Sequence, residues 1–203
     1  MPPALHGHTP EIALRFDPDR ARKHLAAASA DLSGGLAVYA QVVWEPMLEV
    51  LLRGWRDVLG IGVELDLFDA RDTAPAPMFE RAPIAVMGWM PGYPDPEYML
   101  RLLLHSDALT NAGRYSNPDF DALIEQARRA RTDRERLELF HQADRLAVAD
   151  QVALIPLVYG RSTAFVQPYV HGWWEFAKSS AAYADLLIGD RDSRPGGRGF
   201  ESG

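Results

Sequence analysis

The chain has 203 residues, 47% of them hydrophobic and 24% charged, with a formal net charge of −7. That is enough apolar material for one domain with a real core or two small ones, and the acidic balance argues against nucleic acid or an anionic membrane as the main partner. Cysteine is absent, which excludes disulfides, thiolate catalysis and cysteine-ligated zinc.

Residues 1–16 read as a loop segment rich in Pro, Gly and His, with no basic stretch followed by an apolar one, so no signal peptide is expected here. No apolar run approaches the roughly 18 residues that span a bilayer. Asp17-Pro18 opens a first helix, with Asp as cap and Pro in the first turn. After Gly34-Gly35, residues 36–43 (LAVYAQVV) are a strand candidate. Met47, Leu48, Leu51, Leu52, Trp55 and Leu59 fall at helical spacing and predict a helix over 45–59, stopped by Gly60-Ile61-Gly62. Val63, Leu65 and Leu67 alternate with polar residues as a second strand, so strand, helix and strand form a βαβ unit with parallel strands.

Residues 69–83 are a Pro-rich loop with a short helical turn expected near Met78. A third strand is predicted over 84–88. Asp95-Pro96 repeats the cap signature, and a helix follows to about His105. Asn117-Pro118 and Thr132-Asp133 start two more, with Phe120, Leu123, Ile124 and Ala127 on one inward face and Leu137, Phe140 and Ala143 on the other. The Arg and Glu between these stripes make a solvated face. Residues 152–159 and 162–166 read as strands around Gly160-Arg161, and the C-terminal segment as a disordered tail. The expected organisation is a loop segment (1–16), an α/β lobe (17–150), strands (151–175) and a tail (176–203).

The search for an enzyme finds little. The six His make no H-E-x-x-H motif and no i,i+4 pair, and there is no G-x-S-x-G elbow or Walker loop. His6-Gly7-His8 lacks a third metal ligand. Gly60-Ile61-Gly62 lies between helix and strand, the reverse of the dinucleotide-binding order. Asp66, Asp69 and Asp72 read as a solvated loop edge. No catalytic residue, metal or cofactor is expected.

Residues 87–100 (MGWMPGYPDPEYML) are the exception. Aromatic rings give large contact area at low entropic cost, and flanking prolines remove backbone freedom in advance. The loop leaves the C-terminal end of a strand, where α/β sheets place their binding crevices. Two readings stand side by side: a wall for a ligand, or Trp89 filling the core while the prolines end the strand.

GWMPGYPDPEYMLRLLLHS, and then NAGRYSNPDFDALIEQARRARTDRERLELFHQADRLAVADQVALIPLVYG, resemble the C-terminal part of the bacterial family 5 extracellular solute-binding proteins, the oligopeptide-, dipeptide- and nickel-binding components of ABC importers. FDPDRARKHLAAAS, WRDVLGIGVEL and VQPYVHGW resemble further motifs of that family, in the same order. The resemblance implies an α/β, type II periplasmic-binding-protein-like lobe, the C-terminal part of a two-lobed clamp that closes over a solute and docks on a membrane permease. It implies a periplasmic or extracellular, membrane-attached parent and no enzymatic activity, with a sensor, scaffold or degenerate remnant as the alternative. Matched residue by residue, Trp89 takes the place of a tryptophan bordering the solute cavity, and Tyr93 that of an aromatic beside it. Gly92 takes the place of an aspartate that binds a peptide's α-ammonium. Met90 and Tyr115 join Trp89, Gly92 and Tyr93 as candidate ligand-binding residues. The expected partners are a peptide or other small solute such as an oligosaccharide, and the permease. Uncovered apolar strands also predict homo-oligomers or aggregation of the chain alone.

Overall fold

The computed structural model describes residues 1–3, 5–12, 14–28, 32, 34–69, 82–160, 165–171 and 187–189. β1 (Leu36–Gln41) is the central strand of a three-stranded parallel sheet, with β2 (Val63–Phe68) on one side and β3 (Ile84–Val86) on the other. Leu36 pairs with Val63, and Ala40 with both Leu67 and Val86. β1 ends two residues earlier than its β-branched run suggests, because Val42–Trp44 turns into a 3-10 helix that leads directly into α2 (Glu45–Leu59). Gly60 ends α2 in the left-handed conformation that a glycine adopts without a Cβ penalty, and its N–H donates to the Arg56 carbonyl. The predicted βαβ unit forms as expected. α2 lays Leu48 and Leu52 against Val38 and Ala40, and this small cluster is the core of the sheet.

α1 (Pro18–Ala27) has the predicted cap, with the Asp17 carboxylate accepting from the Arg20 N–H at 2.9 Å. It has no buried residue, and its neighbour in the fold is α2.

The second and larger core is helical. α3 (Pro96–Leu104), α4 (Pro118–Arg129) and α5 (Asp133–Arg145) bring together Leu100, Leu103, Leu104, Phe120, Ile124, Ala127, Phe140 and Ala143. All three start where the sequence places them. Asn117 accepts from the Asp119 and Phe120 N–H groups at 2.9 and 3.1 Å. Thr132 accepts from the Glu135 N–H at 3.2 Å, and Glu135 reaches back to the Arg131 N–H at 3.2 Å, close to a capping box. α5 does not stop at Arg145. One turn of π-helix, Leu146–Asp150, carries Ala147 and Val148 into the core.

The N-terminal segment packs on α5. His141 donates to the Gly7 carbonyl at 2.9 Å, and the Met1 ammonium lies 3.0 Å from the carboxylate of Asp144, which is 2% exposed.

Residues 152–160 depart from expectation: they form no strand. A strand is defined by its ladder, and no described segment lies beside this one to pair with it. It is held at its ends. The Ala153 N–H donates to the Ala147 carbonyl at 2.8 Å, and the Tyr159 hydroxyl donates to the Met1 carbonyl at 3.2 Å. Between these points Ile155, Leu157 and Val158 are exposed. Phe165 and Val166, expected in the next strand, are likewise exposed and unpaired among the described residues. A two-residue antiparallel ladder joins β4 (Val170–His171) to β5 (Leu187–Ile188). The turn expected near Met78, residues 162–164 and the segment around Trp173-Trp174 lie outside the described residues.

Phe140 is fully buried at the centre of the helical core. Phe140→Ala is expected to cost about 3–5 kcal/mol in equilibrium urea unfolding.

Candidate functional site

The loop 87–95 connects the two cores. It starts at the carboxyl end of β3 and ends at the N-terminus of α3. The Asp95 carboxylate accepts from the Glu97 N–H at 2.8 Å, as the sequence predicts for a cap. Its second role was not legible in the sequence. Arg136, on the first turn of α5, grips the same carboxylate with both guanidinium arms, at 2.9 and 2.8 Å. The Arg136 guanidinium also sits 4.7 Å from the centre of the Phe140 ring. Burial pushes the Asp95 carboxyl up, but hydrogen bonds from Arg136 and the Glu97 N–H, with the Arg136 charge, outweigh it and hold it below the ordinary carboxylate range.

Above this clamp stand three rings. Tyr98, on the first turn of α3, lies between Trp89, at 6.0 Å and 40°, and Tyr93, at 4.8 Å and edge-on. Trp89 answers both readings of the sequence. One side of it packs against the helical core and its indole N–H is buried without a partner, while the residue as a whole remains only half-buried. Met90 is 82% exposed and Tyr93 48%. Burial first, then the charges of Glu97 and Asp95, raise the Tyr93 phenol and keep it protonated. Gly92 lies under Tyr98: a Cβ there would meet the Tyr98 hydroxyl at 3.1 Å and its ring at 3.2 Å.

Tyr115 is placed differently. It packs edge-on against Phe120 at 5.5 Å, on the helical core, and its backbone is pinned by the buried Asn111 side chain at 2.7 and 3.1 Å. Its ring is therefore part of the core wall and not of the ring cluster formed by Trp89, Tyr93 and Tyr98.

The loop after β1 completes the edge. Trp44 packs on the sheet core, and its ring lies 3.3 Å from where a Gly88 Cβ would stand. Sequence reasoning missed Trp44, Tyr98 and Arg136. The first two carry a weak local signal, an aromatic just past a strand end and one just inside a helix start. Arg136 carries none, being 41 positions from its partner.

An open groove of about 360 Å³ lies elsewhere, between α4 and α5, lined by Gln126, Arg129, Glu135, Glu138, Leu139 and Gln142 among others. No group of three His, Asp or Glu able to hold a metal ion occurs among the described residues. Asp66 and Asp69 are both partnered, and Asp72 lies outside those residues.

The overall fold recurs in part of known structures. Haemophilus influenzae OppA, solved with the peptide RPPGFSPFR, superposes with a TM-score of 0.69 over 84% of this chain and 34% of that one, at 17% identity. Burkholderia pseudomallei OppA gives 0.67 over 77% and 31%, at 22% identity. In sequence, the periplasmic oligopeptide-binding protein OppA of Salmonella typhimurium is 30% identical over 122 residues, covering 59% of this chain and 22% of that protein. The chain is thus similar in fold to part of these OppA structures, and in sequence to part of the Salmonella protein. No family model matches the chain. The heme-binding protein A of Haemophilus influenzae is 25% identical over 183 residues, covering 85% of this chain and 33% of that protein. The chain thus spans a third or less of these curated relatives.

Because the Asp95 pKa is depressed in the fold, its contribution to stability is complete above the unfolded value, about 3.9, and is lost as pH falls through the lower folded value. Asp95→Asn is therefore expected to be less stable than the parent at pH 7, by on the order of 1–2 kcal/mol. The gap should close at the acidic end of a urea-unfolding series.

Proposed function

We propose that the chain is part of the solute-binding component of a bacterial ABC-type importer, with no enzymatic activity, and that the loop 87–95 forms one wall of its solute site. The observation that carries this reading is the loop itself: exposed Met90 and Tyr93 on a backbone fixed by prolines and by the Asp95–Arg136 clamp, at the carboxyl edge of a parallel sheet. A wall that is already ordered loses little entropy when a ligand docks.

The names of the relatives support a binding role and a broad range of ligands. Besides the oligopeptide-binding proteins they include a dipeptide-binding protein of Pseudomonas aeruginosa, the heme-binding protein and a probable deoxycholate-binding periplasmic protein of Escherichia coli. All are binding proteins. One wall does not enclose a solute; enclosure needs a facing surface, which the second lobe of the clamp supplies in this reading. The same reading puts the whole protein in the periplasm or on the outer face of a membrane, docking on a permease.

Isothermal titration against a panel of peptides and oligosaccharides tests the wall. Tyr93→Ala, at an exposed position, and Trp89→Ala should each weaken the best binder about ten-fold or more. If Tyr93→Ala and Trp89→Ala, both folded by circular dichroism, bind like the parent, the assignment fails.

The exposed apolar residues of 152–160 make a second expectation. The chain alone should self-associate in analytical ultracentrifugation, and the double substitution Ile155→Lys, Val158→Lys should shift it toward monomer. A parent chain that sediments as a monomer at every concentration would contradict this.

A further inference from the structure

The ring-bearing loop offers no unpaired charge. Asp95 is held by both arms of Arg136 and by the Glu97 N–H. Glu97 is 3.1 Å from Arg128 and 3.6 Å from Arg136. Each carboxylate of the α3 start therefore has a guanidinium, and each guanidinium has a carboxylate. At Gly92 a Cβ would stand 3.1 Å from the Tyr98 hydroxyl and 3.2 Å from its ring, so a side chain there would crowd Tyr98. The Tyr98 hydroxyl makes no hydrogen bond among the described residues, and it is not buried away from water. Tyr93, beside it, is a neutral phenol at physiological pH.

The surface next to these rings is apolar. β1 and β3 are paired to Ala40 and Val86, so the residues that follow each strand emerge side by side. From β1 come Val42 and the 64% exposed Val43; from β3 come Met87 and then Met90, all exposed. Trp44 against Gly88 joins the two segments. Exposed apolar residues gathered at a strand edge mark a binding surface more often than chance exposure does.

We propose that this edge takes an uncharged ligand, one that lays an apolar or aromatic face on Met90 and Tyr93 and turns a neutral polar group toward the Tyr98 hydroxyl. The proposal rests on the solute-binding reading above and narrows it to a ligand class. A cation brought here would give up water and find both carboxylates already paired, and an anion would find both guanidiniums engaged. An apolar face gains from burying Met90 and Tyr93, and the phenol hydroxyl both donates and accepts without a net charge. Tyr98 serves the selectivity by supplying that hydroxyl, and its ring crowds the space over Gly92. Discrimination then comes from penalising charged competitors as much as from favouring the ligand.

The test uses the full chain and two probes in isothermal titration, acetyl-Ala-Phe-Ala-amide, which is uncharged, and Ala-Phe-Ala, which carries both terminal charges. The uncharged probe should bind about ten-fold tighter or more. Tyr98→Phe, which keeps the ring, should weaken it about three- to ten-fold. The double substitution Gly92→Asp, Tyr98→Ala, which opens the space and adds an unpaired carboxylate, should move the preference toward the free amine. Equal affinity for the two probes, or preference for the charged one, overturns the ligand class while leaving the wall in place. A Tyr98→Phe chain that binds like the parent overturns the role of the hydroxyl. If neither probe binds while a charged member of the wider panel binds in a Tyr93-dependent way, the ligand class falls and the solute-binding reading stands. If Met90→Glu dissociates a dimer in sedimentation, the edge is covered by a second copy of the chain and the proposal is wrong.

Discussion

The paired hydrogen bonds between Asp95 and Arg136 tie together everything that this chain presents at its sheet edge. Asp95 ends the irregular loop, caps α3 and receives α5 all at once. The loop therefore cannot move without disturbing two helices, and the helices cannot separate without leaving a partly buried charge unpaired. A bidentate guanidinium–carboxylate pair also fixes direction, because both N–H bonds must align with both oxygens. Prolines 91, 94 and 96 restrict the same backbone from within. Rigid rings on a rigid loop follow from these two constraints, one local and one distant.

The molecule has two cores of unequal strength. The sheet core is small, four buried side chains with partly buried neighbours around them, whereas the helical core collects nine. Trp89 packs on the helical core from a loop that begins in the sheet. It is therefore a structural residue on one side and a candidate contact on the other. A side chain with a large flat face can serve both ends, since burying part of the ring still leaves an edge at the surface.

The apolar residues of 152–160 show the opposite situation. They are fastened at Ala153 and at Tyr159, and beyond Leu154, which packs on the helical core, Ile155, Leu157 and Val158 stay exposed. A strand pattern without a neighbour yields an extended segment, because backbone groups pair with water when no ladder is offered. Composition alone cannot separate a strand that has its partner from one that does not.

The sequence by itself determined the capped helix starts at Asp17, Asp95, Asn117 and Thr132, the stop at Gly60, and the parallel βαβ unit. These depend on local chemistry: a side-chain oxygen two or three residues from an orphan N–H, a glycine with φ of 69°, and hydrophobic periods of two and 3.6. It also marked the loop at 87–95, because rings and prolines are visible one residue at a time. Only the tertiary structure decided that Arg136 is the partner of Asp95, that Tyr98 crowds the space over Gly92, that Tyr115 belongs to the core wall and that 152–160 forms no strand. Each of those outcomes depends on which distant segment arrives alongside, and no local pattern encodes an arrival from 41 residues away.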